Sequence, residues 1–286
     1  MPIFVKNFKI IFLILAGTFI WSLTMVKSGL LYTYGLGFWG PNGHDGIWHL
    51  SLIRSLSLGR VDMPIFAGET LKNYHVGFDL ILALVSKLTS ISPSTLYFQI
   101  TPPLLALVLG ILVYKFIFAW QKSSSSAWWA VFFVYFGGSW GWLVNFIKDK
   151  SFGGESAFWA QQSISTLLNP PFALSLVFIF LGLYLLTKKP TTKTLILTSL
   201  VFGLLSQIKI YAAILTLSGL LVSAIVNKNK YLLKIFFLTL IINLLLFLPF
   251  NKNSSSLIIF RPGWFLQAML SVSDRFQWLH LYQALI

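Results

Sequence analysis

The chain contains no cysteine among its 286 residues. Disulfide bonds, thiolate metal sites and a cysteine nucleophile are therefore excluded. Charge is also scarce, because only 10% of the residues are charged and 7 acidic residues stand against 21 lysines and arginines. Soluble globular chains carry about 25% charged residues, so this composition excludes an ordinary soluble enzyme.

Apolar residues dominate what is present. Hydrophobic residues make up 57% of the chain, aromatic residues 17%, and the mean hydropathy is +0.80, which excludes a disordered chain. The net charge of +14 does not indicate a nucleic-acid partner, since the basic residues lie in short stretches between apolar runs. That pattern is typical of membrane topology, so we expect an integral membrane protein in contact with the lipid bilayer.

Several apolar runs are long enough to cross a membrane, which takes about 20 residues. The run from Thr194 to Val226 has 33 residues, and as one helix it would be about 50 Å long, too long for a core of about 30 Å. We therefore divide it near Gln207–Ile210. The sequence predicts an all-α, polytopic fold of about seven spans, with the others at Phe8–Leu31, Tyr97–Trp120, Ala127–Ile147, Pro171–Thr187 and Tyr231–Phe250.

The stretch Val76–Ser92 is interpreted differently. Asp79, Lys87 and two serines recur at helical spacing along one side, with leucine, isoleucine and valine elsewhere. This pattern favours an amphipathic helix that lies at the interface or packs in the bundle. Because charge inside a bilayer is costly, the stretch is not counted as a span.

The short loops predict the orientation. With the N-terminus in the cytoplasm, the inner segments hold ten lysines and neither acids nor histidines, as the positive-inside rule requires. All seven acids, four histidines and four arginines then fall outside. Any chemistry is therefore expected at the extracytoplasmic face. The inner lysines are Lys6, Lys9, Lys115, Lys122, Lys188, Lys189, Lys193, Lys228, Lys230 and Lys234.

The predicted organisation is a transmembrane module over residues 1–250, with outer loops at 32–96 and 148–169. Residues 251–286 form an outer C-terminal segment. This segment ends at Ile286 without a basic or polar terminus, which is typical of a fragment or of a minimal version of something longer.

Two short motifs in the first outer loop resemble a known superfamily. They are Gly43-His44-Asp45-Gly46-Ile47-Trp48-His49 and Asn73-Tyr74-His75-Val76-Gly77-Phe78-Asp79, and the second leads into the amphipathic helix. One span precedes this loop, and later spans alternate with lysine-rich turns and a second outer loop that carries acids. In layout and motifs, most of the chain is similar to the seven-span N-terminal module of the GT-C superfamily of membrane glycosyltransferases.

The resemblance implies an inverting transferase that moves a hexose or pentose from a polyprenyl-phosphate or polyprenyl-diphosphate donor. The acceptor would be a glycan, a lipid or a protein at the extracytoplasmic face, in the plasma membrane of a prokaryote. Asp45 matches the catalytic or metal-binding carboxylate of the superfamily's first loop. Its surroundings, His44-Asp45-Gly46, depart from the paired acids of many members. Whether the reaction depends on a divalent cation (Mg²⁺ or Mn²⁺) is therefore left open.

The residues themselves agree with that chemistry. Removal of the acceptor proton needs a base, and the developing charge on the phosphate needs cationic groups or a metal. Acids are scarce in this chain, which favours a functional role for Asp45. An aspartate that only caps a helix would give the same sequence pattern. Asp45 and His49 are four residues apart and would share a helix face, where they could supply half a metal site; capping or packing of His49 explains the spacing equally well.

Other outer residues are candidates for substrate binding. His44 and His75 lie in the two motifs, although for His75 a local hydrogen bond to Asp79 is the simpler interpretation. Lys209 interrupts a strongly apolar run at the outer boundary, where a lipid-linked phosphate would lie, or it reaches lipid headgroups instead. Arg261 is a second phosphate candidate, and Glu155 is an acid of the second outer loop.

One alternative function stays open at this stage. The chain could be a non-catalytic polytopic protein, either a transporter fragment or an assembly partner of a larger transferase. A transporter would carry charged or interrupted helices near the middle of the bilayer, and an assembly partner would tolerate the loss of Asp45.

Overall fold

The structure is a computed structural model that describes residues 2–138, 140–151, 161–250 and 263–264, with side chains from residue 8 onward. It divides into two units, Met1–Lys252 and Asn253–Ile286. Of the second unit only Gly263 and Trp264 are described. The predicted sites Glu155 and Arg261 lie outside the described residues, as does most of the predicted C-terminal segment.

The described part of the first unit is mostly helical, as predicted. Its one sheet in the described ranges is a two-stranded antiparallel hairpin of β1 (Leu30–Tyr32) and β2 (Gly35–Gly37). The helices are α1 (Pro2–Ser22), α2 (Asp45–Ser57), α3 (Gly77–Thr89), α4 (Thr101–Gln121), α5 (Ser124–Phe136), α6 (Gly141–Asp149), α7 (Gln162–Leu167), α8 (Pro170–Leu186), α9 (Thr192–Gly203), α10 (Leu205–Ile208), α11 (Ile210–Val226) and α12 (Lys230–Phe247).

Polar residues at the turns set where several helices begin. The Ser123 side chain accepts a hydrogen bond from the Ser126 N–H at the start of α5, and Asn229 does the same for two N–H groups of α12. Thr191 and Thr194 form a reciprocal capping box at the start of α9. Such caps satisfy N–H groups that have no partner within the helix.

A core forms where α4 packs between α1, α5 and α8. Tyr135 of α5 joins three of these helices, because its hydroxyl donates to the Ala106 carbonyl at 2.6 Å and its own carbonyl accepts from Trp21 Nε1 at 2.9 Å. Its ring lies directly against Gly17 and Gly110, where any side chain would collide with it. The two glycines therefore allow α1 and α4 to approach the ring closely.

A second group of helices comprises α9 to α12. Helices α9 and α12 run in parallel, because Thr194 lies near Tyr231 and Ser199 lies near Ile235. Helix α11 packs against α12. The predicted division of this apolar stretch is confirmed in position, since α10 ends at Ile208 and α11 begins at Ile210.

Within the described residues, two helices are long and apolar enough to cross a membrane: Thr95–Gln121, which joins a π-helical turn to α4, and Lys230–Phe247. Their mean hydropathies are 2.1 and 2.0, and only 33% and 17% of their apolar windows are buried within the protein. Four further apolar helices are shorter, at Phe8–Ser22, Pro170–Leu186, Thr192–Ile208 and Ile210–Val226.

Two predicted spans have different ends in the structure. The helix predicted over Phe8–Leu31 ends at Ser22, where the hydroxyls of Ser22 and Thr24 bond the carbonyls of Thr18 and Trp21. Side chains of this kind compete with helical hydrogen bonds.

The span predicted over Ala127–Ile147 is interrupted. Helix α5 ends at Phe136, and α6 begins at Gly141. Gly137 is extended there, with φ −64° and ψ 150°. Glycine weakens a helix because its backbone loses the most freedom on ordering.

Candidate functional site

The first predicted residue of the site, Asp45, begins α2. A carboxylate is favoured in the first turn of a helix because the helix dipole is positive there. Its Oδ1 lies 2.8 Å from Nδ1 of His44, and the two side chains are 52% and 92% exposed. Asp45 and His44 therefore form a solvated pair on the surface.

His49, one turn further along α2, has a different partner. Its Nδ1 lies 2.7 Å from Oδ1 of Asp79, and the two side chains are only 4% and 1% exposed. The His49 ring stacks on Tyr97 with centroids 5.4 Å apart and meets the edge of Phe78 at 6.0 Å. Asp79 and Phe78 belong to the first turn of α3, so the pair links α2 to α3.

The electrostatics of Asp79 are dominated by burial. Burial raises the pKa of the Asp79 carboxyl, while the hydrogen bond to His49 and the charge of Lys209 oppose this. Its second oxygen, Oδ2, is buried and has no hydrogen-bond partner among the described residues. A carboxylate in this setting is costly unless a cation or a proton accompanies it.

Lys209 supplies a cation to the same place. It lies between α10 and α11 in extended conformation, and only 8% of the residue is exposed. Burial lowers the pKa of Lys209, whereas the charges of Asp79 and Asp45 raise it. The ammonium group is therefore within electrostatic range of both acids.

Two neighbouring contacts hold the segment that carries Lys209. The Gln207 side chain donates to the Leu246 carbonyl at 2.7 Å, and the Ser206 N–H donates to Asn243 Oδ1 at 3.2 Å. On the other side, Gly77 of α3 lies so close to Gln207 that an added Cβ would be 2.7 Å from its carbonyl oxygen. Helix α3 therefore packs directly on the Lys209 segment.

His75 completes the group from the loop before α3. Its ring stacks on Tyr74 with centroids 4.5 Å apart, and its Nε2 is buried without a hydrogen-bond partner in the described part of the chain. Burial, assisted by the charges of Lys209 and His49, lowers the pKa of His75 from 6.5 to about 4. The local hydrogen bond expected between His75 and Asp79 is wrong, since Asp79 bonds His49 and α3 begins only at Gly77.

The structure thus brings together four of the residues singled out in the sequence. Lys209 lies within electrostatic range of Asp45 and His75, and His75 lies within range of His49, while His44 is on the exposed edge. Asp79 was not among the predicted site residues. The signal that could have identified it is its position as the only acid in the apolar run Val76–Ser92.

Metal binding by Asp45 and His49 stays a prediction. Within the described ranges, no three histidine or acidic side chains lie close enough to hold a metal ion. Nδ1 of His49 is engaged by Asp79, and Mg²⁺ prefers an octahedral set of oxygen ligands. The donor set at Asp45 does not fit such an ion, so no chemical step is assigned to a cation.

Comparison with protein-family models, curated proteins and solved structures finds no match to this chain.

Proposed function

We propose that the protein is an integral membrane glycosyltransferase similar to the GT-C superfamily. It moves a hexose or pentose from a polyprenyl-phosphate or polyprenyl-diphosphate donor to an acceptor at the extracytoplasmic face. One observation carries this proposal: Lys209 lies within electrostatic range of Asp45 and of Asp79, which pairs with His49, in a chain that has only 7 acids and 4 histidines.

The exposed surface of the helices supports a membrane location. Large apolar side chains cover the outside of α1 and α12, among them Phe12 at 63%, Phe19 at 65% and Leu245 at 69% exposure. On α3, too, most of the exposed side chains are apolar, with Leu84 and Leu88 52% and 83% exposed, although Lys87 is exposed beside them; Asp79 faces inward. Water disfavours contiguous apolar surfaces of this kind, and lipid tails do not.

Seven spans with a cytoplasmic N-terminus remain part of the proposal. The parallel course of α9 and α12 agrees with it, since two spans separated by one other must cross in the same direction. Lys122, Lys188 and Lys228 would then lie at cytoplasmic turns, and Lys209 would lie at the opposite end of the bundle. This arrangement follows the positive-inside rule and assigns the charged group to the outer face.

The chemistry requires two things that this group supplies. The leaving group is a phosphate, whose developing charge needs a nearby cation, and the largely buried Lys209 is positioned for that role. The acceptor hydroxyl must lose a proton as it attacks the sugar. Asp45 is the predicted catalytic carboxylate, and its half-exposed side chain is accessible to an acceptor from outside.

Donor turnover by the purified protein tests the proposal. The protein would be placed in lipid nanodiscs with a panel of radiolabelled polyprenyl-phosphate and polyprenyl-diphosphate hexoses and pentoses. We expect sugar to be released from at least one donor, and Asp45→Asn to lower the rate by about 10²-fold or more, the usual scale for losing a catalytic acid or base. Glu69→Gln, which removes an exposed acid of the same loop, serves as the control.

Two results would contradict the proposal. If the folded protein releases sugar from none of the donors, it is not a transferase of this class. If Asp45→Asn retains full activity, Asp45 has no part in the reaction.

Transport is the second candidate, and a specific observation favours it. The Asp79–His49 pair is buried, and the apolar stretch beside it is interrupted at Lys209. Buried charge and interrupted helices are also features of transporter binding sites. Uptake of a labelled sugar phosphate into proteoliposomes, without cleavage of the sugar, would support transport over transfer.

A further inference from the structure

The buried pair of His49 and Asp79 differs from the other ion pairs of the described chain. The pairs His44–Asp45 and Arg60–Asp62 are at least half exposed, whereas His49 and Asp79 retain 4% and 1% exposure. Breaking a buried pair leaves an uncompensated charge, which is strongly destabilising. Because the His49–Asp79 pair is buried, we look for a functional role for it.

The geometry holds the imidazole in one orientation. Nδ1 contacts the carboxylate at 2.7 Å, and Tyr97 covers the ring at an interplanar angle of 24°. When Asp79 is ionised, its carboxylate can only accept a hydrogen bond, so Nδ1 of His49 carries the proton in that state. The lone pair is then left on Nε2, the opposite ring nitrogen, as in enzymes where a carboxylate orients a histidine base.

We propose that His49 is the proton acceptor of the glycosyl transfer and that Asp79 is the positioning residue that holds it. The inference rests on the proposed function but transfers the removal of the acceptor proton from Asp45 to His49, and it leaves Asp45 the task of binding the acceptor or donor. Asp45 is half exposed and already pairs with His44 at the surface.

The step balances as follows. The acceptor oxygen forms a bond to the anomeric carbon as the bond from that carbon to the phosphate oxygen breaks. The bonding pair stays on the phosphate, which leaves as polyprenyl phosphate or diphosphate beside Lys209. The hydroxyl proton passes to Nε2 of His49, and the resulting imidazolium is stabilised by the Asp79 carboxylate. Solvent removes the proton before the next turnover.

Charged groups from each neighbouring element act on this pair. The charge of Lys209, between α10 and α11, acts on Asp79 of α3, and His75, in the loop before α3, lies within electrostatic range of His49. Asp45 lies one turn before His49 on α2. Tyr97 packs on the ring from the segment before α4.

Nitrogen-15 NMR of the histidines tests the arrangement without any substrate. The chain has only 4 histidines, so the His49 signals can be assigned by their loss in His49→Gln. In the neutral ring we expect the proton on Nδ1, and we expect Asp79→Asn to abolish this single tautomer. A neutral ring with its proton on Nε2 would overturn the proposal.

Sugar release from the active donor, with water as acceptor, tests the role. We expect His49→Gln and Asp79→Asn to lower kcat by about 10²-fold or more while the KM for the donor changes little. The remaining histidine signals report whether each variant is folded. If the wild type is active and folded His49→Gln is equally active, His49 is not the base, although the transferase function stands. If the wild type itself is inactive, the proposed function fails and this inference with it.

Discussion

The protonation of His75 should make the stability of the protein depend on pH. In the folded state burial lowers the pKa of His75 from 6.5 to about 4. The folded ring therefore stays neutral between these values while the unfolded chain takes up a proton. Stability is fully present above pH 6.5 and falls as the pH drops toward 4.

The size of the effect follows from the shift. The pKa of His75 differs by about 2.5 between the unfolded and folded states. At about 1.36 kcal/mol per pKa unit, the loss in the free energy of unfolding is at most about 3 kcal/mol, and partial exposure of the ring reduces it. His75→Phe keeps an aromatic ring on Tyr74 and removes the titration. Because Asp79 titrates in both proteins, the difference between them isolates His75.

Thermal unfolding in detergent from pH 7.5 to 4.5 would measure this difference. The melting temperature of the wild type should fall several degrees relative to His75→Phe as the medium becomes acidic. His44→Gln, which removes an exposed histidine, should follow the wild type throughout. Parallel curves for the wild type and His75→Phe would show that the His75 environment does not resist protonation.

Three further predictions follow from the packing and the charges. Lys209→Met should raise the KM for the donor and be partly rescued by more donor, because it removes a cation but keeps the apolar stem; an unchanged KM would exclude a phosphate contact. Gly77→Ala should lower the free energy of unfolding by about 1–3 kcal/mol, because its Cβ would meet the Gln207 carbonyl at 2.7 Å. Gly219→Ala should not lower it, since nothing lies within 4 Å of the added Cβ. Equal melting temperatures of the two variants would contradict this prediction. Lys122→Cys in this cysteine-free chain should react with an impermeant thiol reagent only from the cytoplasmic side, and labelling from outside would reverse the topology.

Local features of the fold were predictable where a single residue breaks a strong pattern. Gln207 and Lys209 interrupt an apolar run that is too long for one span, and the helix is interrupted there. The amphipathic helix expected over Val76–Ser92 is present as Gly77–Thr89. In both cases the spacing of a few polar residues is sufficient, because helical periodicity is a local property.

The partner of His49 could not be predicted in the same way. Asp79 is 30 residues away from His49 in the sequence. The sequence instead suggested two local pairs, Asp45 with His49 and His75 with Asp79, because the members of each are four residues apart. Which long-range pair forms depends on how α2 packs against α3, and helical spacing contains no information about that packing.

Three helix beginnings supply the charged residues of the candidate site, and this explains how acids are tolerated there. Asp45 is the first residue of α2, Asp79 lies in the first turn of α3, and Lys209 immediately precedes α11. Helix N-termini stabilise negative charge through their unpaired N–H groups and the helix dipole. The buried Asp79 therefore keeps part of the stabilisation that burial removes. If the proposed function holds, a phosphate brought beside Lys209 would likewise gain from the N-terminus of α11.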